Sequence, residues 1–337
     1  MTVPPRALRR LVIDPLFIPV AAAGALLGTA AALVGLAGAA VDRRLRLSRI
    51  AALAVAYLLA EIVVIVAGFG LWLARPLVRP RWESAHLALL RTLLRLLRTA
   101  AERLTRFQLT VQEPPAATVG CDGGPVLVAS RHAGTGDSFA LVDLVANRYR
   151  RTPRVVALAS LQLDPAIDIL LNRLDACFLR DRGHAAAVAR VNGLASRLTG
   201  RDALVIFPEG ANFTARRRRR AIASLRRRGH TRRANVAEEL AHVLPPRPAG
   251  LLAALDAETA AGTVVVAHTG LDHLVTPSLI WQALPLATPM KVRWWWFPAD
   301  ELPAAGAARA DWLTMQWAVV DAWIDVHQSA NRASGIN

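Results

Sequence analysis

His132 and Asp137 are separated by Ala133, Gly134, Thr135 and Gly136, inside the segment Ser130-Arg131-His132-Ala133-Gly134-Thr135-Gly136-Asp137-Ser138. Two glycines among four linking residues let the loop fold back and bring the carboxylate onto the imidazole. An aspartate bonded to one ring nitrogen fixes the tautomer and raises the basicity of the other. A general base needs that arrangement to take a proton from an alcohol. A surface histidine beside a helix-capping Asp137 writes the same letters. A second polar cluster, Phe207-Pro208-Glu209-Gly210-Ala211-Asn212-Phe213-Thr214, follows about 70 residues downstream. A Pro-Glu-Gly turn gathers backbone N–H groups and a carboxylate at one spot. It offers Glu209 to orient a substrate hydroxyl and the Gly210 region to donate to an oxyanion.

Both clusters leave short apolar runs. Val126–Ser130, Cys177–Leu179 and residues 155–159, 203–207, 264–267 and 292–297 read as strands. Residues 138–148, 165–174 and 184–198 read as helices between the first four. This βαβα order predicts an α/β fold, a sheet covered by helices. In such sheets sites gather at the carboxyl ends of strands, where both clusters fall.

In this order and spacing the two clusters resemble the signature blocks of the glycerolipid (lysophospholipid) acyltransferase family, His-x4-Asp and then Phe-Pro-Glu-Gly. The resemblance spans residues 119–303. It is closest to the branch of lysocardiolipin and lysophosphatidylinositol acyltransferases. That branch is suggested by Pro-Glu-Gly-x-x-x-Thr, a basic helix, a block read here as Val243-Leu244-Pro245-Pro246-Arg247-Pro248-Ala249-Gly250-Leu251, and the tail 291–302. The resemblance implies the fold of that family, with His132 as base and Asp137 as its partner. It places Pro208, Glu209, Gly210, Asn212, Thr214 and Arg247 at the acyl-acceptor site. The family's middle block, Phe-(Ile/Leu)-x-Arg, holds the acceptor phosphate. Here the segment reads Ala176-Cys177-Phe178-Leu179-Arg180-Asp181-Arg182. Aligning on Phe178 puts Asp181 at the arginine position, whereas sliding by one makes Arg180 the match. Arg180 is preferred, with Arg182 second. Asn212 stands where many members carry arginine, and it makes a weaker phosphate contact.

The implied reaction transfers an acyl group from acyl-CoA or acyl-carrier protein, as co-substrate, to the free hydroxyl of a lysophospholipid, with no cofactor and no metal. The alternatives are an acyl-glycerol phosphate or glycolipid acceptor and, from another class, a non-catalytic lipid-binding membrane protein.

The remaining sequence must place this chemistry at lipid. Residues 15–41 carry no charge, and residues 50–74 carry only Glu61. About 20 apolar residues cross a bilayer's hydrocarbon core, so residues 1–82 are expected to form a two-helix membrane hairpin. Gly24 and Gly28 make a GxxxG step that permits close helix contact. Glu61, costly in lipid, is expected to face the partner helix or a headgroup recess. Arginines stand at all three ends: Arg6, Arg9 and Arg10; Arg43, Arg44, Arg46 and Arg49; Arg75, Arg79 and Arg81. Positive-inside counting therefore conflicts with itself. A spanning hairpin with both ends cytosolic is preferred, and a shallow hairpin that never crosses stays open. Residues 83–118 are expected to hold a basic amphipathic helix, with Leu87, Leu90, Leu94, Leu97 and Leu104 at helical spacing among arginines. It lies on the bilayer surface or packs its leucines on the soluble domain. Residues 119–337 complete the acyltransferase domain, expected on the cytoplasmic face of a membrane.

Composition agrees with a lipid-surface protein. Forty-one Lys+Arg against 25 Asp+Glu leave a formal charge of +16, and 54% of residues are apolar, which excludes a disordered chain. The charge asks for an anionic partner, read as the membrane surface. Arg216 to Arg220, Arg226 to Arg228, Arg232 and Arg233 read either as a grip on lipid headgroups or CoA phosphates or as a solvated helix face. With no recognisable nucleic-acid-binding motif, nucleic acid is not the expected partner. Cys121 and Cys177 make no disulfide framework. Trp294, Trp295 and Trp296 alternate faces in a strand, so one face is expected at the bilayer interface. Trp312, Met315, Val319, Trp323 and Val326 fit one helical core stripe. His268, near a strand end, is read as a core or rim histidine, with a cleft-lining role as the alternative.

Overall fold

The computed structural model describes residues 3–113, 124–134, 136–180, 184–274 and 276–333. Seven strands form one sheet: β1 (Leu109–Gln112), β2 (Val126–Ser130), β3 (Thr152–Leu158), β4 (Cys177–Leu179), β5 (Asp202–Ile206), β6 (Gly262–Thr269) and β7 (Met290–Pro298). Their order is β1-β7-β6-β2-β5-β3-β4, and every neighbouring pair is parallel except β6 and β7. The N-terminal helices are α1 (Asp14–Ala37), α2 (Arg46–Leu73) and α3 (Trp82–Thr105). Within and around the sheet lie α4 (Asp137–Asp143), α5 (Pro165–Arg173), α6 (His184–Ala195), α7 (Ala215–Arg227), α8 (Thr231–Glu239), α9 (Pro248–Leu255), α10 (Pro277–Ala283) and α11 (Gly306–Ala333).

Every residue of β2 and β5 is buried, as a parallel sheet covered on both faces requires. Leu127, Ala129, Leu204 and Ile206 pack with Val191 and Leu194 of α6, Leu251 of α9 and Trp317 of α11. Val126, Val128, Ala203 and Val205 face the other way, with Leu141 of α4. The tryptophan run follows the same alternation. Trp295 joins the first layer; Trp294 and Trp296 join the second. Both faces of β7 are therefore core, which corrects the bilayer-interface reading.

Two further expectations are corrected. The sheet begins at β1, inside the residues assigned to the linker, because Leu109–Gln112 pairs with β7. The C-terminal helix buries Leu313, Trp317, Val320 and Ile324, whereas Met315, Val319 and Val326 are exposed. Of the expected stripe, Trp323 is buried and Trp312 packs at the edge of the core. Cys177 is a buried free thiol in β4, and Cys121 lies outside the described residues.

The two apolar helices α1 and α2 are long and apolar enough to cross a membrane. They pair closely at the GxxxG step. A Cβ on Gly28 would stand 2.7 Å from Val55 Cγ2, and one on Gly24 would stand 3.0 Å from Leu58 Cδ1. Outward they show Leu16, Val20, Leu26, Leu27, Leu33 and Val34, with Leu59, Val63, Val66 and Phe69. Inward, α2 lies along the sheet domain rather than projecting from it. The Tyr57 hydroxyl donates to Asp164, and buried Glu61 accepts the Ala166 N–H at 2.9 Å, at the start of α5. Glu61 thus faces α5 instead of its partner helix. Val64 and Ile65 pack with Leu87, Leu90 and Leu94 of α3 and Ile169 and Leu170 of α5. The leucine face of α3 is consequently covered by protein, not offered to a bilayer.

Candidate active site

Strand β2 pairs with β5 through Ala129↔Ile206 and with β6 through Ser130↔Val266. Three loops therefore leave neighbouring strands at the same edge of the sheet, after Ser130, after Ile206 and after Thr269. This is why two clusters far apart in sequence meet.

The first loop turns into α4 at Gly136, whose φ of 94° is left-handed and suits glycine. That turn swings the Asp137 carboxylate back under the loop. Asp137 Oδ2 lies 3.1 Å from His132 Nδ1 and accepts the Ala133 and Gly134 N–H groups at 2.7 and 3.1 Å. Its Oδ1 accepts the Ser138 N–H at 2.6 Å and the Ser138 hydroxyl at 3.1 Å. Burial alone would raise the Asp137 pKa. The His132 hydrogen bond and the Gly134 N–H outweigh it, and the carboxyl is held well below the usual carboxylate range. An ionised carboxylate at Nδ1 requires the imidazole proton there, which leaves Nε2 as the free base. Nε2 makes no hydrogen bond among the described residues, and the His132 side chain is 24% exposed. Phe207 packs on the ring with centroids 4.8 Å apart.

The second loop holds the first in place. Glu209 is 1% exposed; its Oε1 accepts the His132 N–H at 3.0 Å and its Oε2 accepts the Leu244 N–H at 2.9 Å. Phe213 N–H donates to the His132 carbonyl at 3.0 Å. Burial pushes the Glu209 carboxyl up to about 7 against the nearby Arg131 charge and these two N–H donors. With both oxygens taken by backbone, Glu209 is a strut between loops, which corrects its expected contact with an acceptor hydroxyl. Gly210 N–H donates to the Phe207 carbonyl at 3.0 Å and closes the turn, so it is not an oxyanion donor. The Pro208 carbonyl accepts the Arg247 N–H at 2.8 Å.

Thr214 caps α7 by accepting the Arg217 N–H, and the half-buried Asn212 offers its carbonyl to the Arg217 guanidinium. Both hold the start of α7. Arg247 is exposed and lies on the turn, its Cδ and Nη1 each 3.4 Å from where a Gly210 Cβ would stand. Its guanidinium has no carboxylate partner among the described residues. Arg180 is exposed just after β4, three strands from β2 and so about 14 Å across the sheet. It shares that edge of the sheet without touching His132. Arg182 lies outside the described residues.

Arg131, Asp272 and Asp321 had no readable signal in the sequence, whereas His268 lies buried near the end of β6. Buried Arg131 donates from Nη1 to the His268 carbonyl at 2.6 Å and from Nη2 to the His242 carbonyl at 2.8 Å, and pairs with Asp272. His268 Nε2 donates to the Arg131 carbonyl at 3.0 Å and lies 3.7 Å from Asp137 Oδ2. Burial lowers the His268 pKa and favours its neutral form. Asp321 of α11 accepts the N–H groups of Ala241, His242 and Val243, which sets the strap that carries Leu244.

A carboxylate-oriented imidazole with a free nitrogen, at the carboxyl edge of an α/β sheet, is equipped to deprotonate a hydroxyl. Residues 103–255 match the family model described as Acyltransferase. The chain carries an acyltransferase domain. Among solved structures, the chain is similar to the 1-acyl-sn-glycerophosphate (LPA) acyltransferase PlsC from Thermotoga maritima. The TM-score is 0.51 at 16% identity, over 77% of this chain and 90% of that one. No curated protein matches the sequence. The likeness to PlsC is one of fold, a mixed α/β sheet with helices.

Proposed function

We propose that this protein moves a fatty acyl group from an acyl thioester, acyl-CoA or acyl-carrier protein, to the free hydroxyl of a lysophospholipid at a membrane surface. The observation that carries this reading is the His132–Asp137 contact with Nε2 left free. The acceptor hydroxyl sits against Nε2. As its oxygen bonds to the thioester carbonyl carbon, Nε2 takes the proton. The C–S bond then breaks, and the imidazolium returns that proton to the leaving thiolate. The transfer is direct, so no serine or cysteine of the chain has to carry the acyl group. Arg247, exposed and unpaired beside the turn, is the acceptor-phosphate contact, with Arg180 further along the same edge. The hairpin's exposed apolar face supports membrane attachment. Because α2 runs along the domain, a hairpin lying within one leaflet fits it better than one crossing. The catalytic domain is read as cytoplasmic.

A second reading takes 1-acylglycerol-3-phosphate as acceptor. The fold shared with the Thermotoga PlsC favours it. Purified protein incubated with labelled acyl-CoA and a panel of lysolipids separates them. Thiol release with lysophospholipids carrying an esterified headgroup supports the first reading. Release only with lysophosphatidate supports the second, and no release with any acceptor removes both.

A further inference from the structure

A second basic site lies at the far end of α5 from the catalytic edge. Here the chain segment before α1, the end of α2, the start of α3 and the end of α5 meet. Two guanidinium groups share one indole: Arg173 stands 4.7 Å and Arg75 stands 5.6 Å from the Trp82 ring centroid. Two carboxylates are nearby, and both are already engaged. Asp168 pairs with Arg9 at 2.9 Å and with Arg10 at 2.9 Å, and Asp14 pairs with Arg10 at 2.8 Å. Arg6, Arg75 and Arg173 have no carboxylate partner among the described residues.

Arg173 is the most constrained of them. It is half-buried, and its Nε is sealed from solvent with no acceptor. Burial lowers its pKa, and the neighbouring charges of Arg6, Arg10 and Arg75 lower it further. His86, fully buried 4.4 Å from the Trp82 ring, also leaves Nε2 without a partner. A partly desolvated guanidinium among like charges is unfavourable unless an anion joins it. Arginine suits a phosphate, because its fork donates two parallel hydrogen bonds. The surroundings say what carries that phosphate. Leu8, Leu11, Trp72, Leu73 and Leu77 are all exposed on the flanking segments, Leu77 at 85%. Bare apolar side chains beside unpaired arginines match acyl chains beside a headgroup.

We propose that Arg75 and Arg173, stacked on Trp82, bind with nearby Arg6 the phosphate of an anionic phospholipid headgroup at a site separate from the His132 edge. The bound lipid neutralises the cluster and ties the ends of the hairpin to α3 and α5. The site takes a lipid of the surrounding membrane, not a substrate.

The test titrates the full-length chain, in detergent micelles, with phosphatidylglycerol and counts retained lipid by native mass spectrometry. One tightly held phosphatidylglycerol is expected, and phosphatidylcholine is retained more weakly. Each arginine removed is expected to weaken retention about fivefold, so Arg75→Gln with Arg173→Gln weakens it more than tenfold. Should the double variant fail to fold, Arg6→Gln alone, on an exposed side chain, carries the about fivefold expectation. Unchanged retention in the folded variants overturns the proposal. Displacement of the lipid by equimolar inorganic phosphate assigns the site to free phosphate and overturns the lipid assignment. None of these readouts uses acyl transfer, so they stand apart from the fate of the proposed reaction.

Discussion

Asp137 is buried, ionised and saturated with donors, so the His132 ring is fixed in one tautomer before any substrate arrives. Asp137→Asn keeps the shape but removes the charge and presents an amide to Nδ1. Steady-state transfer is expected to fall by about a hundred- to ten-thousandfold, with vesicle binding unchanged. Glu209→Gln tests the strut. An amide nitrogen must face either the His132 or the Leu244 N–H, leaving that donor unpaired at a cost of about 1–3 kcal/mol in thermal unfolding. The wild-type carboxyl titrates from its ordinary 4.5 up to about 7 on folding. A raised carboxyl binds its proton more tightly in the folded state. Its contribution is therefore full below about 4.5 and is lost as pH rises to about 7. The stability difference between wild type and Glu209→Gln should accordingly shrink across that interval, when melting midpoints are compared at several pH values. The His132–Asp137 contact was legible because it is local and glycine-linked. Arg131 and Asp321 were not, because their partners lie 137 and 79 positions away, and nothing in their neighbours marks them. Glu209 was legible as important but not in kind. A turn seen alone does not reveal that both its oxygens will meet distant backbone.

At the scale of elements, the fold makes α5 a dock. Its first turn receives Glu61 and its middle holds Asp168, which pairs with Arg9 and Arg10 ahead of α1. Asp168→Asn leaves Arg9 buried without its counter-charge. A loss of about 3–5 kcal/mol is expected in denaturant unfolding in micelles. Asp325→Asn, on an exposed side chain of α11, serves as the control with little change expected. The strands β2, β4 and β5 were legible from uninterrupted apolar runs bounded by polar turns. β1 was not, because Leu-Thr-Val-Gln carries no signal stronger than its pairing with β7. The phase of α11 was misread for a related reason. Apolar residues occur on more than one face of that helix, so spacing alone does not choose the face. The sheet chooses Trp317 over Met315.

Across the whole molecule, the apolar hairpin is continuous with the domain's own packing. Removing residues 1–81 would uncover Leu87, Leu90, Leu94 and Ile169 together. The truncated chain is expected to aggregate without detergent in size-exclusion chromatography, where an independently packed domain would run as a monomer. The formal charge of +16 and the exposed apolar helices both suit the proposed attachment to an anionic lipid surface. Composition pointed to such a partner, but only the fold showed that the hairpin flanks the domain.

The most direct measurement is single-turnover acyl transfer from labelled acyl-CoA to a lysophospholipid on vesicles, comparing wild type with His132→Ala. The account predicts a rate at least a hundredfold lower in the variant, with equal vesicle binding and an unchanged melting midpoint. An undiminished rate in a folded, vesicle-bound variant would contradict it.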